Sequence, residues 1–124
     1  TTDGSLAMAA GELETAKRLG LPIVFVQLTN DSLGWIKMLQ HLYMGRRYYE
    51  VDPGPIDAVL VATACGIPAV RTCDLDEVRR IVTGAIRERR AAYLEVPVRH
   101  LIEDAPPVAP WLAALAGQRD RPAY

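Results

Sequence analysis

Asp3-Gly4-Ser5 and Asn30 are the residues whose types and spacing point to chemistry. A carboxylate stands just ahead of a Gly-Ser turn that opens a helical pattern, and a carboxamide follows 27 positions later at the end of an apolar, strand-like run. In a sheet built with right-handed crossovers, neighbouring strands lie parallel, so both residues would sit at carboxyl ends of strands if residues ahead of Thr1 formed the first strand. The Gly4-Ser5 turn would offer free backbone N–H groups at a helix start, where hydrogen bonds and the helix dipole both favour an anion. A diphosphate held between those groups and two oxygen ligands needs a hard cation, and octahedral Mg²⁺ with oxygen ligands fits. Asp-Gly-Ser also occurs at ordinary turns, so these residues alone leave a phosphate site as one reading among several.

The elements that would carry these residues alternate along the chain. Leu6, Ala9, Ala10, Leu13 and Ala16 recur at helical spacing from Ser5 to about Leu19, with Glu14 and Arg18 as an i,i+4 pair and Gly20 and Pro22 as stop signals. The run from Ile23 to Leu28 is too short for a helix and predicts a central parallel strand covered on both faces. A second helix falls within Leu33 to Tyr43, and Pro55 and Gly66 bracket a third. Ala69 to Thr72 reads as a short strand. Asp74 and Glu77 form a capping box opening a helix that turns Leu75, Val78, Ile81, Val82, Ala85 and Ile86 inward. Ala92 to Val98 is the last strand, and Pro97 places its end near an edge or bulge. This order predicts an α/β domain over residues 1–103, with a mainly parallel sheet and helices on both faces, lacking its first strand. Residues 104–124 read as a Pro/Ala-rich tail with one short helix at Trp111 to Ala116.

The composition excludes several classes of partner. Lys and Arg number 14 against 15 Asp and Glu, a formal net charge of -1 that gives no electrostatic reason to bind nucleic acid or an anionic membrane. No apolar run reaches the roughly 18 to 20 residues that span a bilayer, and no signal sequence opens the chain. Cys65 and Cys73 have neither metal-site spacing nor the density of a disulfide scaffold. A soluble protein of the reducing cytoplasm is the expectation.

Asp3-Gly4-Ser5-Leu6-x-Met8-x-x-x-Glu12-Leu13-x-Thr15-Ala16, then Leu21-Pro22, an apolar strand and Asn30, resembles the binding signature of thiamine-diphosphate (ThDP) enzymes, which begins Gly-Asp-Gly and ends Asn-Asn. The likeness is to the acetolactate synthase group, with 2-oxo acid decarboxylases further off, and runs through Gly34, Gln40, Gly45-Arg46-x-Tyr48 and Leu94-Glu95-Val96. The resemblance implies the diphosphate-binding domain of an enzyme that decarboxylates or carboligates 2-oxo acids. It makes Asp3, the Asn30 side chain and the Ser32 carbonyl the Mg²⁺ ligands. Gly4, Ser5, Asn30 and the backbone around Leu33 and Gly34 become contacts to ThDP, with Trp35 bordering the cofactor. It also implies a glutamate on a separate pyrimidine-binding domain, so no catalytic residue is assigned within this chain, and a site between subunits of a homodimer or tetramer. Thr2 and Thr29 depart from the signature, standing where the family usually has Gly and Asn; Thr2 would cost stability if its backbone needed an unusual angle. A non-catalytic module that keeps the fold for assembly is the rival reading.

Other polar residues have plainer roles. Glu12 and Glu14 read as a solvated helix face, and His41 and His100 as surface or packing residues. Ile36 stands where pyruvate decarboxylase carries an acidic catalytic residue, which argues against that reaction. Arg46, Arg47 and the Arg87-Glu88-Arg89-Arg90 run read as surface, leaving FAD use undecided. Tyr43, Tyr48 and Tyr49 are expected to pack a subunit interface, and Met8, Met38 and Met44 to fill the core or the cofactor's surroundings.

Overall fold

The computed structural model describes residues 1–100, 102 and 103, so the expected tail and its short helix lie outside the described residues. The chain divides into two compact units: residues 1–30 with 55–98, and residues 31–54 with the described residues 99, 100, 102 and 103.

The first unit is a parallel sheet with helices, as the alternation predicts. Its elements are α1 (Asp3–Ala9), α2 (Gly11–Arg18), β1 (Val24–Thr29), α4 (Ala58–Ala64), β2 (Ala69–Arg71), α5 (Leu75–Glu88) and β3 (Ala92–Pro97); α3 (Gly34–Tyr43) belongs to the second unit. The strand order is β1-β3-β2, all parallel, with Val24 opposite Ala92 and Ala69 opposite Tyr93. A parallel bridge between Thr2 and Leu28 continues the sheet beyond β1.

The strand covered on both faces is β3 rather than β1. Ala92, Tyr93, Leu94 and Glu95 are all buried, whereas Val26 and Leu28 of β1 are 37% and 48% exposed. Apolar runs of equal quality cannot say which will be central; the crossover order decides that. Pro97 accordingly ends the central strand and costs no hydrogen bond. Ala92 and Val98 donate to Ile23 and Thr29 on the β1 side, while Tyr93 donates to Pro68 on the β2 side. The alternation turns the Pro97 nitrogen toward β2, which has already ended at Arg71 opposite Glu95.

Leu6, Leu13, Ala58, Ala62, Ile67 and Tyr93 form the core on one sheet face, with Phe25 packed against them. Burying Leu6 or Leu13 contributes roughly 2 kcal/mol. The other face meets α5, which touches β3 and β1.

Helix ends follow their chemical signals closely. Gly20 and Gly66 adopt φ of +61° and +77° just past α2 and α4, and Leu21 N–H and Ile67 N–H return to Ala16 and Ala62 carbonyls. Asp57 caps α4 through Leu60 N–H at 3.0 Å, so that helix starts at Ala58 rather than near Pro55. Asp74 caps α5 through Asp76 N–H, but the capping box is half formed: Asp74 N–H donates to Thr72 Oγ1, and Glu77 turns to Arg80 instead.

The first predicted helix is two segments. Ala10 keeps helical φ and ψ, yet Leu13 N–H reaches back only three residues to the Ala10 carbonyl, tightening the turn at Gly11. Leu75 and Ile86, expected inward, are 73% and 65% exposed, because both lie at the rim of the α5 apolar stripe. Met8 and Met44 are also exposed, leaving Met38 as the buried methionine. No described helix is long and apolar enough to cross a membrane.

Candidate functional site

In the first unit, Asp3 and Asn30 are neighbours. The Asn30 N–H donates to Asp3 Oδ2 at 3.1 Å, while the Gly4 N–H donates to Asp3 Oδ1 at 2.9 Å. The sheet positions both residues: Thr1 C=O accepts from Leu28 N–H, and the Thr2–Leu28 bridge brings the α1 start beside the carboxyl end of β1. Each carboxylate oxygen keeps a second lone pair for another partner. The Asn30 carboxamide makes no hydrogen bond among the described residues, so it is an uncommitted neutral oxygen donor on the residue whose N–H meets the Asp3 carboxylate. That donor set suits a hard cation such as Mg²⁺. Among the described residues no three His, Cys, Asp or Glu side chains gather into a cation site, so an ion here would rely on one carboxylate plus neutral oxygens.

The Gly4-Ser5 turn differs from its expectation. Its N–H groups are not free: Gly4 N–H is taken by Asp3 and Ser5 N–H by Thr2 Oγ1 at 3.4 Å. Thr2 is the N-cap of α1, with φ −128° and ψ 170°, ordinary extended backbone that carries no strain. Its hydroxyl and that of Ser5 share a 3.0 Å hydrogen bond, which uses one of their two protons. A hydroxyl donor remains at this turn in place of the expected amide donors.

Behind Asn30 runs a buried polar chain that the sequence reading missed. The Tyr93 hydroxyl donates to Gln27 Oε1, and Gln27 Nε2 donates to Thr29 Oγ1 at 2.8 Å. Gln27 and Tyr93 are 0% and 1% exposed. Burial, with the Glu95 charge as a second cause, pushes the Tyr93 hydroxyl up to about 12, so it stays a proton donor. Glu95, also buried, pairs with Arg71 at 3.0 Å, and Arg71 reaches the α4 cap residue Asp57 at 3.3 Å. The Glu95 hydrogen bond and charge raise the Arg71 pKa above its ordinary value. The available signal was a polar residue inside each of two otherwise apolar strand runs.

The second unit holds Ser32, Leu33, Gly34 and Trp35. Ser32 is buried; its Oγ donates to the Val51 carbonyl at 3.0 Å, and Leu33 N–H donates to the same oxygen at 2.7 Å. His100 Nδ1 accepts from Ile102 N–H, which leaves Nε2 as the donor of the neutral ring, 3.2 Å from Ser32 Oγ. Burial, then the Lys37 charge, lowers the His100 pKa. Gly34 opens α3 after Leu33, with no side-chain cap on its first turn, and Trp35 and Ile36 are about half exposed. Gln40 clamps Tyr49 by accepting from its N–H at 2.8 Å and donating to its C=O at 3.1 Å. His41 meets the Tyr48 hydroxyl at 2.6 Å, a packing role as expected.

The profile of the family described as "Thiamine pyrophosphate enzyme, C-terminal TPP binding domain" matches residues 1–96. The chain is 31% identical over 99 residues to the probable acetolactate synthase large subunit of Methanocaldococcus jannaschii, covering 79% of this chain and 17% of that protein. It is 32% identical over 110 residues to the acetolactate synthase isozyme 2 large subunit of Escherichia coli, covering 87% and 20%. Benzoylformate decarboxylase from Polynucleobacter necessarius has a similar fold, with a TM-score of 0.73 at 20% identity over 80% of this chain and 19% of that one. The chain therefore spans a fifth or less of the length of these proteins.

Proposed function

Since this chain belongs to the thiamine pyrophosphate enzymes, as their C-terminal TPP-binding domain, we propose that it holds the Mg²⁺-diphosphate end of ThDP for an enzyme acting on 2-oxo acids, in the manner of the acetolactate synthases. The observation that carries this reading is the hydrogen bond from Asn30 N–H to the Asp3 carboxylate, which unites two residues 27 positions apart. Asp3 and the Asn30 carboxamide are the metal's side-chain ligands, and Ser32, two residues further along the chain, supplies its carbonyl. Gly4 and Ser5 contact the diphosphate, with the spare hydroxyl proton of the Thr2–Ser5 pair as a donor. The backbone at Gly34 offers the uncapped start of α3 beside Leu33, whose own N–H is held by the Val51 carbonyl, and Trp35 borders the cofactor.

Bound ThDP supplies the carbon that reacts with a 2-oxo acid, for decarboxylation or carboligation. This chain's own part is to neutralise and orient the diphosphate. The catalytic glutamate belongs to a pyrimidine-binding domain supplied by the same protein or another subunit of a homodimer or tetramer. Isothermal titration of the intact protein with ThDP, with and without Mg²⁺, tests the reading. Metal-dependent binding that Asp3→Ala reduces at least a hundredfold supports it. No heat from correctly folded protein overturns it in favour of a module kept for assembly.

A further inference from the structure

The buried chain behind Asn30 has a direction, and that direction leaves one hydroxyl proton without an acceptor. Gln27 could in principle present either end of its amide to Tyr93. With the nitrogen facing Tyr93, the phenolic proton would have no acceptor among the described residues, at a position only 1% exposed. A buried unpaired donor is far costlier than an unused lone pair, so Oε1 faces Tyr93 and Nε2 faces Thr29. Thr29 Oγ1 therefore accepts from Gln27, and its own proton has no acceptor among the described residues.

The placement of that proton is equally constrained. The Thr29 C=O accepts from Val98 N–H at 2.8 Å, and the next N–H, that of Asn30, donates to Asp3 Oδ2 at 3.1 Å. The peptide joining Thr29 to Asn30 is thus pinned at both ends, and the Thr29 side chain is pinned by Gln27. The residue that carries this fixed, half-buried hydroxyl donor is joined by that pinned peptide to Asn30, whose N–H meets the Asp3 carboxylate, and such a donor suits an anionic oxygen that shares a cation with Asp3 and Asn30.

We propose that Gln27 and Tyr93 are positioning residues that make Thr29 a hydrogen-bond donor to a phosphoryl oxygen of the bound diphosphate. This rests on the Mg²⁺-ThDP reading of Asp3 and Asn30 and adds Thr29 as a binding residue, with two others acting through it.

The test is titration of the intact protein, at saturating Mg²⁺, with ThDP and separately with inorganic pyrophosphate, alongside melting temperatures. Thr29→Val should weaken both ligands about tenfold, since a donor to a charged oxygen is lost. Thr29→Ser, which keeps the hydroxyl, should stay within about twofold of wild type. Tyr93→Phe removes the group that orients Gln27 and should weaken both ligands about threefold. Wild-type affinity in Thr29→Val overturns the proposal, as does an equal loss in Thr29→Ser, which would mark a merely structural position. Should Thr29→Val fail to fold, Tyr93→Phe decides, and unchanged affinity there overturns it. Failure of the wild-type protein to bind either ligand overturns the underlying site as well, whereas wild-type binding with an indifferent Thr29→Val removes this inference alone.

Discussion

The two units handle polar groups in opposite ways. In the first, Gln27, Glu95 and Tyr93 are enclosed by the sheet and its helices, and each has a partner on a different element. In the second, Ser32 is buried, but Lys37–Asp52, His41–Tyr48 and Gln40–Tyr49 are partly open to solvent and close a local loop. Enclosed polar groups are expensive to unpair, because neither water nor another side chain can replace the lost partner. Exposed ones are cheap to unpair and set the shape of a loop more than the stability of a fold. The first unit should therefore answer substitution with global stability, the second with local order.

Arg71→Ala gives the largest expected effect, since it leaves the Glu95 carboxylate buried without its cation. A loss of about 3 kcal/mol is expected in denaturant unfolding. A loss below about 1 kcal/mol would show that water reaches Glu95 and would break the contrast. Leu13→Ala, in the same unit's core, should cost about 2–3 kcal/mol in the same measurement. On the other side of the comparison, Gln40→Ala removes two hydrogen bonds to Tyr49 and should cost only about 1 kcal/mol. Its main consequence should be faster amide hydrogen exchange at Tyr49 and its neighbours, with exchange in β3 unchanged; a matching rise in β3 would mean that the two units unfold together.

His41 sharpens the contrast through pH. Burial, then Arg46 and His100, lower its pKa below the ordinary 6.5, so the unfolded chain binds its proton more readily than the folded one. Its contribution is full above about 6.5 and is lost as pH falls from there to the folded value. An NMR titration should give a midpoint under 6.5, and His41→Gln should flatten that part of the stability profile. A midpoint at or above 6.5 would remove this part of the contrast. The smallest effect belongs to Glu14→Gln, whose exposed pair with Arg18 should be worth no more than about 0.5 kcal/mol.

Much of the candidate site's geometry was legible before any fold was known. The nearness of Asp3 and Asn30 could be read because crossovers lay strands parallel and bring their carboxyl ends together, although the single helix expected between them is the two segments α1 and α2. Thr2 was legible in principle as an N-cap three residues ahead of Ser5, since a threonine hydroxyl at that spacing reaches the Ser5 N–H. The Tyr93–Gln27–Thr29 chain was not legible, since it joins residues 66 positions apart across two strands whose adjacency no local pattern announces.

By itself, the sequence determined what depends on a few consecutive residues. The α2 and α4 stops at Gly20 and Gly66 follow from a backbone angle, the Asp57 and Asp74 caps from side chains within reach of nearby amides, and the alternation of strands and helices from apolar spacing. Only the tertiary structure decided that β3 is central, that Leu75 and Ile86 face water, and that Gln27 and Glu95 are enclosed. Those outcomes depend on which elements become neighbours. Burial is a property of the neighbours, whereas a cap or a stop belongs to the residues that make it.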